Sequence, residues 1–191
     1  MPTRLSLSRS RRPARALPRK VRGKGGEVCS FAPVALPDAR ILILGSMPGH
    51  ESLRREQYYA HPHNAFWRIL GELIGAGPEL PYTARLAKLK QSGIALWDVL
   101  RSCRRESSLD SDIIEASIVP NDFAGFYARH SQLRAIYFNG AKAEAAYRRY
   151  VLPGLPLAWR GLIYHKLPST SPAHAAMSFE KKLRAWRELM G

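Results

Sequence analysis

ILILGSMPGHESLRREQYYAHPHNAFW, residues 41–67, passes from an apolar run through a Gly/Pro turn and a polar aromatic loop into an amphipathic segment. Ile41 to Leu44 is continuous and apolar until Gly45 ends it, the pattern of a central strand covered on both faces. Gly45-Ser46-Met47-Pro48-Gly49 then breaks regular structure at the strand's carboxyl end, where open α/β sheets hold their ligands. His50, Tyr58, Tyr59, His61, His63 and Asn64 follow closely. A plain connection does not need such a density of flat, hydrogen-bonding side chains, which suits a purine or pyrimidine.

Outward from this stretch, strands and helices alternate. Asn64 is placed to cap a helix from Ala65 to about Ile74, with Phe66, Ile69, Leu70 and Leu73 on one face, ended by Gly75-Ala76-Gly77-Pro78. Tyr82–Gln91 reads as a helix with Leu86 and Leu89 inward, and Ile94–Leu100 as a second strand. Arg101–Ser111 reads as a polar loop with Arg101, Arg104 and Arg105 clustered in it. Asn121 or Asp122 caps a helix to His130; Ala135–Phe138 is a third strand, turning at Asn139-Gly140 into a basic helix, Ala141–Tyr150. Gly161–Leu167 is a fourth strand and Ser178–Met190 a closing helix. This order predicts an α/β three-layer sandwich around a central, mainly parallel four-stranded sheet.

The 191 residues, 46% of them apolar, suit one domain with a real core. No run approaches eighteen apolar residues, so a membrane partner is not expected. Cys29 and Cys103 are too few for a thiolate cluster or a disulfide framework, which fits a reducing cytoplasm. The net charge of +15 is uneven: up to Gly26 there are nine basic residues and no acidic one, so the rest carries 21 basic against 15 acidic residues. Residues 1–26, without apolar periodicity, read as a disordered basic arm ahead of a folded domain at 27–191. The arm can be a nucleic-acid tether, an organelle presequence or an extension without a role. The domain is still basic, which favours a polyanionic partner.

Three ordered segments resemble the uracil-DNA glycosylase superfamily, and within it the hypoxanthine-DNA glycosylase branch. Gly45-Ser46-Met47-Pro48-Gly49 is similar to the family's G-x-x-P-G motif. Tyr59-Ala60-His61-Pro62-His63-Asn64-Ala65-Phe66-Trp67 looks like its aromatic-x-H-P-x-N-x-F-W signature. Leu167-Pro168-Ser169-Thr170-Ser171-Pro172-Ala173-His174 stands where its second motif follows the last strand. Gly93–Asp98 and Phe138-Asn139-Gly140 also resemble family segments, so the likeness covers residues 38 to 190.

The resemblance implies hydrolysis of the N-glycosidic bond of a deaminated base in double-stranded DNA, by a monomer without metal or cofactor. The base must be flipped out of the duplex, at a few kcal/mol of unstacking. Tyr59 then stands where the family places its stacking aromatic, with Tyr58 as the fallback, and Gly45, Ser46, Met47 and His61 surround the base. The polar residues that better-known relatives use for water and base contact match Met47 and Leu167 here, which can do neither. The branch is thought to use the Asn of its signature, so Asn64 is the expected catalytic residue, its amide oxygen orienting water and its nitrogen donating; the competing role is a helix cap. His61 either donates to a base carbonyl or braces its loop, and bracing is favoured. Ser169, Thr170 and Ser171 are candidates for flanking phosphates, Pro172-Ala173 for an apolar wedge and His174 for a phosphate contact, against an ordinary ST-turn. Arg101, Arg104, Arg105, Lys142 and Lys166 are candidates for tracking the DNA backbone.

Other readings compete. His50, His61 and His63 can ligate zinc, but no carboxylate pattern or second half-site supports it. A lesion-binding protein of the same fold would explain Met47 and Leu167. An unrelated α/β hydrolase would need a nucleophile, and Ser46 is not in a G-x-S-x-G elbow. No lysine is placed for a Schiff base, so lyase activity is not expected.

Overall fold

The computed structural model describes residues 26–191; the basic arm, apart from Gly26, lies outside the described residues. Strands β2 (Ile41–Gly45), β3 (Ile94–Asp98), β6 (Ala135–Asn139) and β7 (Ile163–Leu167) form an all-parallel sheet in the order β3-β2-β6-β7. The apolar run that opens the reading is one of the two inner strands. Side chains alternate between the two faces: Leu42 and Leu44 enter one buried cluster and Ile43 the other, and Trp97, Ile136 and Phe138 oppose Leu96 and Tyr137 in the same way.

Helices α2 (Phe66–Ile74), α3 (Tyr82–Gln91) and α7 (Phe179–Trp186) cover one face, with Phe66, Leu70, Leu89 and Trp186 buried. Helices α4 (Phe123–Arg129) and α5 (Ala141–Tyr150) cover the other through Phe123, Phe126, Tyr127 and Tyr147, and the short α6 (Leu157–Arg160) sets Trp159 against them. Asp122, of the two candidates, is the cap of α4, accepting from the Gly125 N–H at 2.9 Å. These are the three layers that the alternation of elements implies. No helix among the described residues is long and apolar enough to cross a membrane.

Two readings are corrected. The second strand stops at Asp98: the chain bends at buried Val99 and continues as β4 (Leu100–Arg104), which pairs antiparallel with β1 (Glu27–Cys29) and β5 (Ile114–Pro120) in a second, small sheet. The stretch after Leu100 is therefore strand before it is loop. Its alternation was hidden because the inward residues are Ser102 and Cys103 rather than large aliphatics, and the β4–β5 register shifts twice. The second correction is a short helix, α1 (His50–Arg55), inside the segment read as loop.

Candidate active site

Three segments converge at the carboxyl ends of the parallel strands. The first follows β2. A side chain at Gly45 would have no room, because its Cβ would lie 2.6 Å from Asp98 Oδ1 and 3.0 Å from the Tyr59 hydroxyl. The Gly45 carbonyl accepts from the Val99 N–H (2.8 Å) and the Ser46 carbonyl from the Leu100 N–H (3.1 Å), which pins the turn to the bend between the sheets. Arg105, expected to track DNA, is only 3% exposed and donates from Nη2 to the Pro48 carbonyl. It braces this turn from behind. Glu51 of α1 is held by Arg54 and Arg55, whose hydrogen bonds pull its carboxyl down to about 2.

The second segment is the loop into α2. Tyr59 has φ 54°, the left-handed region that bulky side chains avoid, and its ring stacks on Phe66 with centroids 3.9 Å apart at 22°. Trp67 Nε1 donates to the Tyr58 carbonyl at 2.8 Å, and the Tyr82 hydroxyl accepts from the Tyr58 N–H at 2.9 Å. The Phe-Trp pair of the signature thus lies beneath the loop and fixes the tyrosine in place. Backbone strain of this kind costs on the order of 1–3 kcal/mol and persists only where the surroundings enforce it.

Asn64 stands one residue before the cap position, which Ala65 occupies, yet its Oδ1 accepts from the Phe66 N–H at 3.0 Å. The oxygen thus serves the start of the helix, while Nδ2 makes no hydrogen bond among the described residues. His61 accepts from the His63 N–H at Nδ1 (3.2 Å), and its carbonyl accepts from the Asn64 N–H (2.9 Å). The ring braces its loop as favoured, and when neutral it carries its proton on Nε2, as a donor. The His61 and His63 rings meet edge to face at 5.5 Å, and no three His, Cys, Asp or Glu side chains among the described residues are grouped to hold a metal ion.

The third segment runs from Pro168 to Ser178. Asn139, at the end of β6, donates to Thr170 Oγ1 and accepts from the Thr170 N–H, both at 2.8 Å, while the Thr170 carbonyl accepts from the Ala65 N–H at 3.0 Å. Thr170 is 1% exposed. It is the joint between the loops rather than an outward hydroxyl. Ser169 Oγ accepts from the Ser171 N–H (3.2 Å) and Ser171 Oγ from the Ala173 N–H (3.3 Å), the expected ST-type turns, which leave both hydroxyl protons to donate elsewhere. Gly140, with φ 99°, lets this loop pass: a Cβ there would lie 2.9 Å from that of Ser169. Leu167 is buried in the core, whereas Pro172, Ala173 and His174 are exposed at the rim.

Between the segments lies one cleft of about 540 Å³, and every residue of the three motifs assigned from the sequence to catalysis, base contact or DNA contact lines it. Lys142 of α5 lines it as well. Among the lining residues given no role from the sequence are two polar residues at strand ends: Asp98, 3% exposed beside Tyr59 and Gly45, and Asn139. The available signal is common to both. Each is a polar residue closing an apolar strand run, IALWD and AIYFN, at the end of the sheet where ligands sit.

The geometry agrees with what the chain is similar to. Residues 33–190 match the Uracil DNA glycosylase superfamily. A hypoxanthine DNA glycosylase from Methanosarcina acetivorans is 45% identical over 114 residues, covering 59% of this chain and 71% of that protein; one from Methanosarcina barkeri is 42% identical over the same shares. A solution NMR structure from Methanosarcina acetivorans, described as a candidate uracil DNA glycosylase, superposes with a TM-score of 0.68 at 37% identity, covering 86% of this chain and 99% of that one. With its fold, its cleft and a match across most of its length in agreement, the chain belongs to the uracil DNA glycosylase superfamily.

Proposed function

We propose that this protein is a monofunctional DNA glycosylase that removes deaminated bases from double-stranded DNA, hypoxanthine in preference to uracil or xanthine. The observation that carries the reading is Tyr59: a strained aromatic, backed by Phe66 and set in the wall of a cleft between two loops. Such a ring is a platform for one extruded base, and base–aromatic stacking contributes about 1–3 kcal/mol. The two relatives named as hypoxanthine DNA glycosylases support the substrate.

In the reaction, water adds to C1′ of the deoxyribose and gives up a proton to solvent, the C1′–N bond breaks, and its electron pair leaves with the base. Negative charge grows on the base as positive charge grows on the sugar, so donors aimed at the base lower the barrier. Asn64 supplies the Nδ2 donor, its orientation fixed by the Oδ1 bond to Phe66. His61 supplies a second from Nε2. Ser169, Ser171 and His174 hold flanking phosphates, and Pro172-Ala173 enters the gap in the stack. The domain spans 27–191 and acts as a monomer in the cytoplasm, held near DNA by its basic arm, with no metal or cofactor. A panel of duplexes bearing hypoxanthine, uracil, xanthine or mispaired thymine, incubated under single-turnover conditions and then with alkali, tests the reading; strand scission at none of them refutes it. Uracil released at least tenfold faster than hypoxanthine, about 1.4 kcal/mol in barrier, refutes the base preference.

A further inference from the structure

On the far side of the motif-two loop lies a second, more open cavity of about 320 Å³, sharing only Ser171 and Pro172 with the main cleft. Its walls carry Lys182, Arg68 and His63. Lys182 is 6% exposed, and its Nζ donates to the His174 carbonyl at 2.8 Å; burial pulls its pKa below the ordinary lysine value. Arg68 lies over the Phe179 ring, 4.1 Å from its centroid. Neither cation makes an ion pair among the described residues. Glu180, the nearby carboxylate, is engaged chiefly by its own backbone N–H and by Ser178, and more weakly feels the Arg68 charge without pairing with it. A nearly buried ammonium without a carboxylate is costly in a folded protein, and the cost is offset when an anion enters.

Resting on the DNA-glycosylase reading, we infer that this cavity is a phosphodiester site that takes the backbone one step along the lesion strand from the flipped nucleotide. The wall shared with the main cleft is one turn of loop, so a ligand filling both must be a continuous chain passing over Ser171 and Pro172. Lys182 serves the site in two ways: its Nζ bond to His174 sets the loop, and its remaining N–H groups face the anion. Arg68 adds a planar donor fork, suited to a phosphate. The volume admits the adjoining deoxyribose as well, which Phe179 and Met177 line with apolar surface.

The test is the salt dependence of duplex binding by fluorescence anisotropy, for wild type, Lys182→Met and Arg68→Gln, with methylphosphonates placed singly around the lesion. The Lys182→Met/Arg68→Gln double variant should lower the log–log slope by about 0.9, the value of one phosphate contact on duplex DNA, and each single variant should lower it by part of that. One methylphosphonate position should weaken wild-type binding and leave binding by the protein carrying both Lys182→Met and Arg68→Gln unchanged. Arg68→Gln guards against a purely structural effect, because Arg68 does not hold the loop. Unchanged slopes in both single variants, or a wild type indifferent to every methylphosphonate, overturn the site. Inorganic phosphate perturbing the Arg68 side-chain NMR signal as strongly as the duplex does overturns the DNA assignment in favour of a small-anion site. Excision is scored separately: a wild type that binds DNA but cleaves no base refutes the proposed activity while the slopes still judge the cavity.

Discussion

Asn64 is where the structure lets two roles be separated by substitution. Its Oδ1 accepts one hydrogen bond, from the Phe66 N–H at 3.0 Å, and its Nδ2 makes none among the described residues. Asn64→Ala removes both. Loss of the helix bond costs about 1 kcal/mol, equivalent to roughly 2–4 °C in Tm for a domain of this size. Loss of a donor to developing charge costs about 100- to 1,000-fold in rate. Asn64→Asp keeps the acceptor, and its negative charge is favourable at a helix N-terminus. It also removes the donor and sets a negative charge where the departing base becomes negative. The expected outcome is an Ala variant slightly less stable and an Asp variant as stable as wild type, with both losing at least 100-fold in single-turnover hypoxanthine excision while DNA binding persists. Thermal melts and rapid-quench excision on one duplex measure both quantities. An Asp variant that cleaves within threefold of wild type would show that Nδ2 does nothing and that Asn64 is only a cap.

Three further outcomes follow from the same geometry. Gly45→Ala drives a methyl group into Asp98 Oδ1 and the Tyr59 hydroxyl, so it should cost about 1–3 kcal/mol by crowding and lower excision through a displaced Tyr59; a neutral melt with normal rate sinks that packing argument. Tyr59→Phe should keep stacking and most activity, whereas Tyr59→Ala should lose about 1–3 kcal/mol of base binding, read from anisotropy with a non-cleavable flipped nucleotide; equal binding by the two variants removes Tyr59 as the platform. Deleting residues 1–26 takes away nine positive charges and should flatten the salt dependence of DNA binding while leaving the chemical step intact; an unchanged slope means the arm does not touch DNA.

The fold was legible wherever burial was two-sided. Ile41–Gly45 and Ala135–Asn139 are covered on both faces, so their composition alone declares them. Tyr82–Gln91 and Ala141–Tyr150 match the observed helices end to end. The small sheet was not legible, because β5 reads Ile114-Glu115-Ala116-Ser117-Ile118-Val119-Pro120, with four intermediate and three exposed positions and none fully buried. A strand that owes its existence to pairing with β4 rather than to burying a face leaves little hydrophobic period to detect. Helix α1 escaped for a related reason. With Gly49 at its cap position and no side-chain capping bond, its sequence carries no start signal.

The cleft was legible in the residues that line it and illegible in those that hold them. Tyr59, His61 and Asn64 stand in a compact sequence pattern, but what gives Tyr59 its φ of 54° is Phe66 beneath it and Trp67 and Tyr82 on the backbone of Tyr58. Thr170 passed for a phosphate ligand because a hydroxyl in a Ser/Thr loop looks the same whether it points out or in. Only Asn139, thirty-one positions earlier, decides that it points in. Arg105 misled in the same way: among exposed Arg101 and Arg104 its charge reads as surface, yet it is the one that turns inward to the Pro48 carbonyl. Pairings across long sequence separations set whether a polar side chain serves the ligand or the loop, and no local pattern encodes the partner. The same reasoning explains why Lys182, one basic residue among several on α7, acquires meaning only once its burial and its bond to His174 are known.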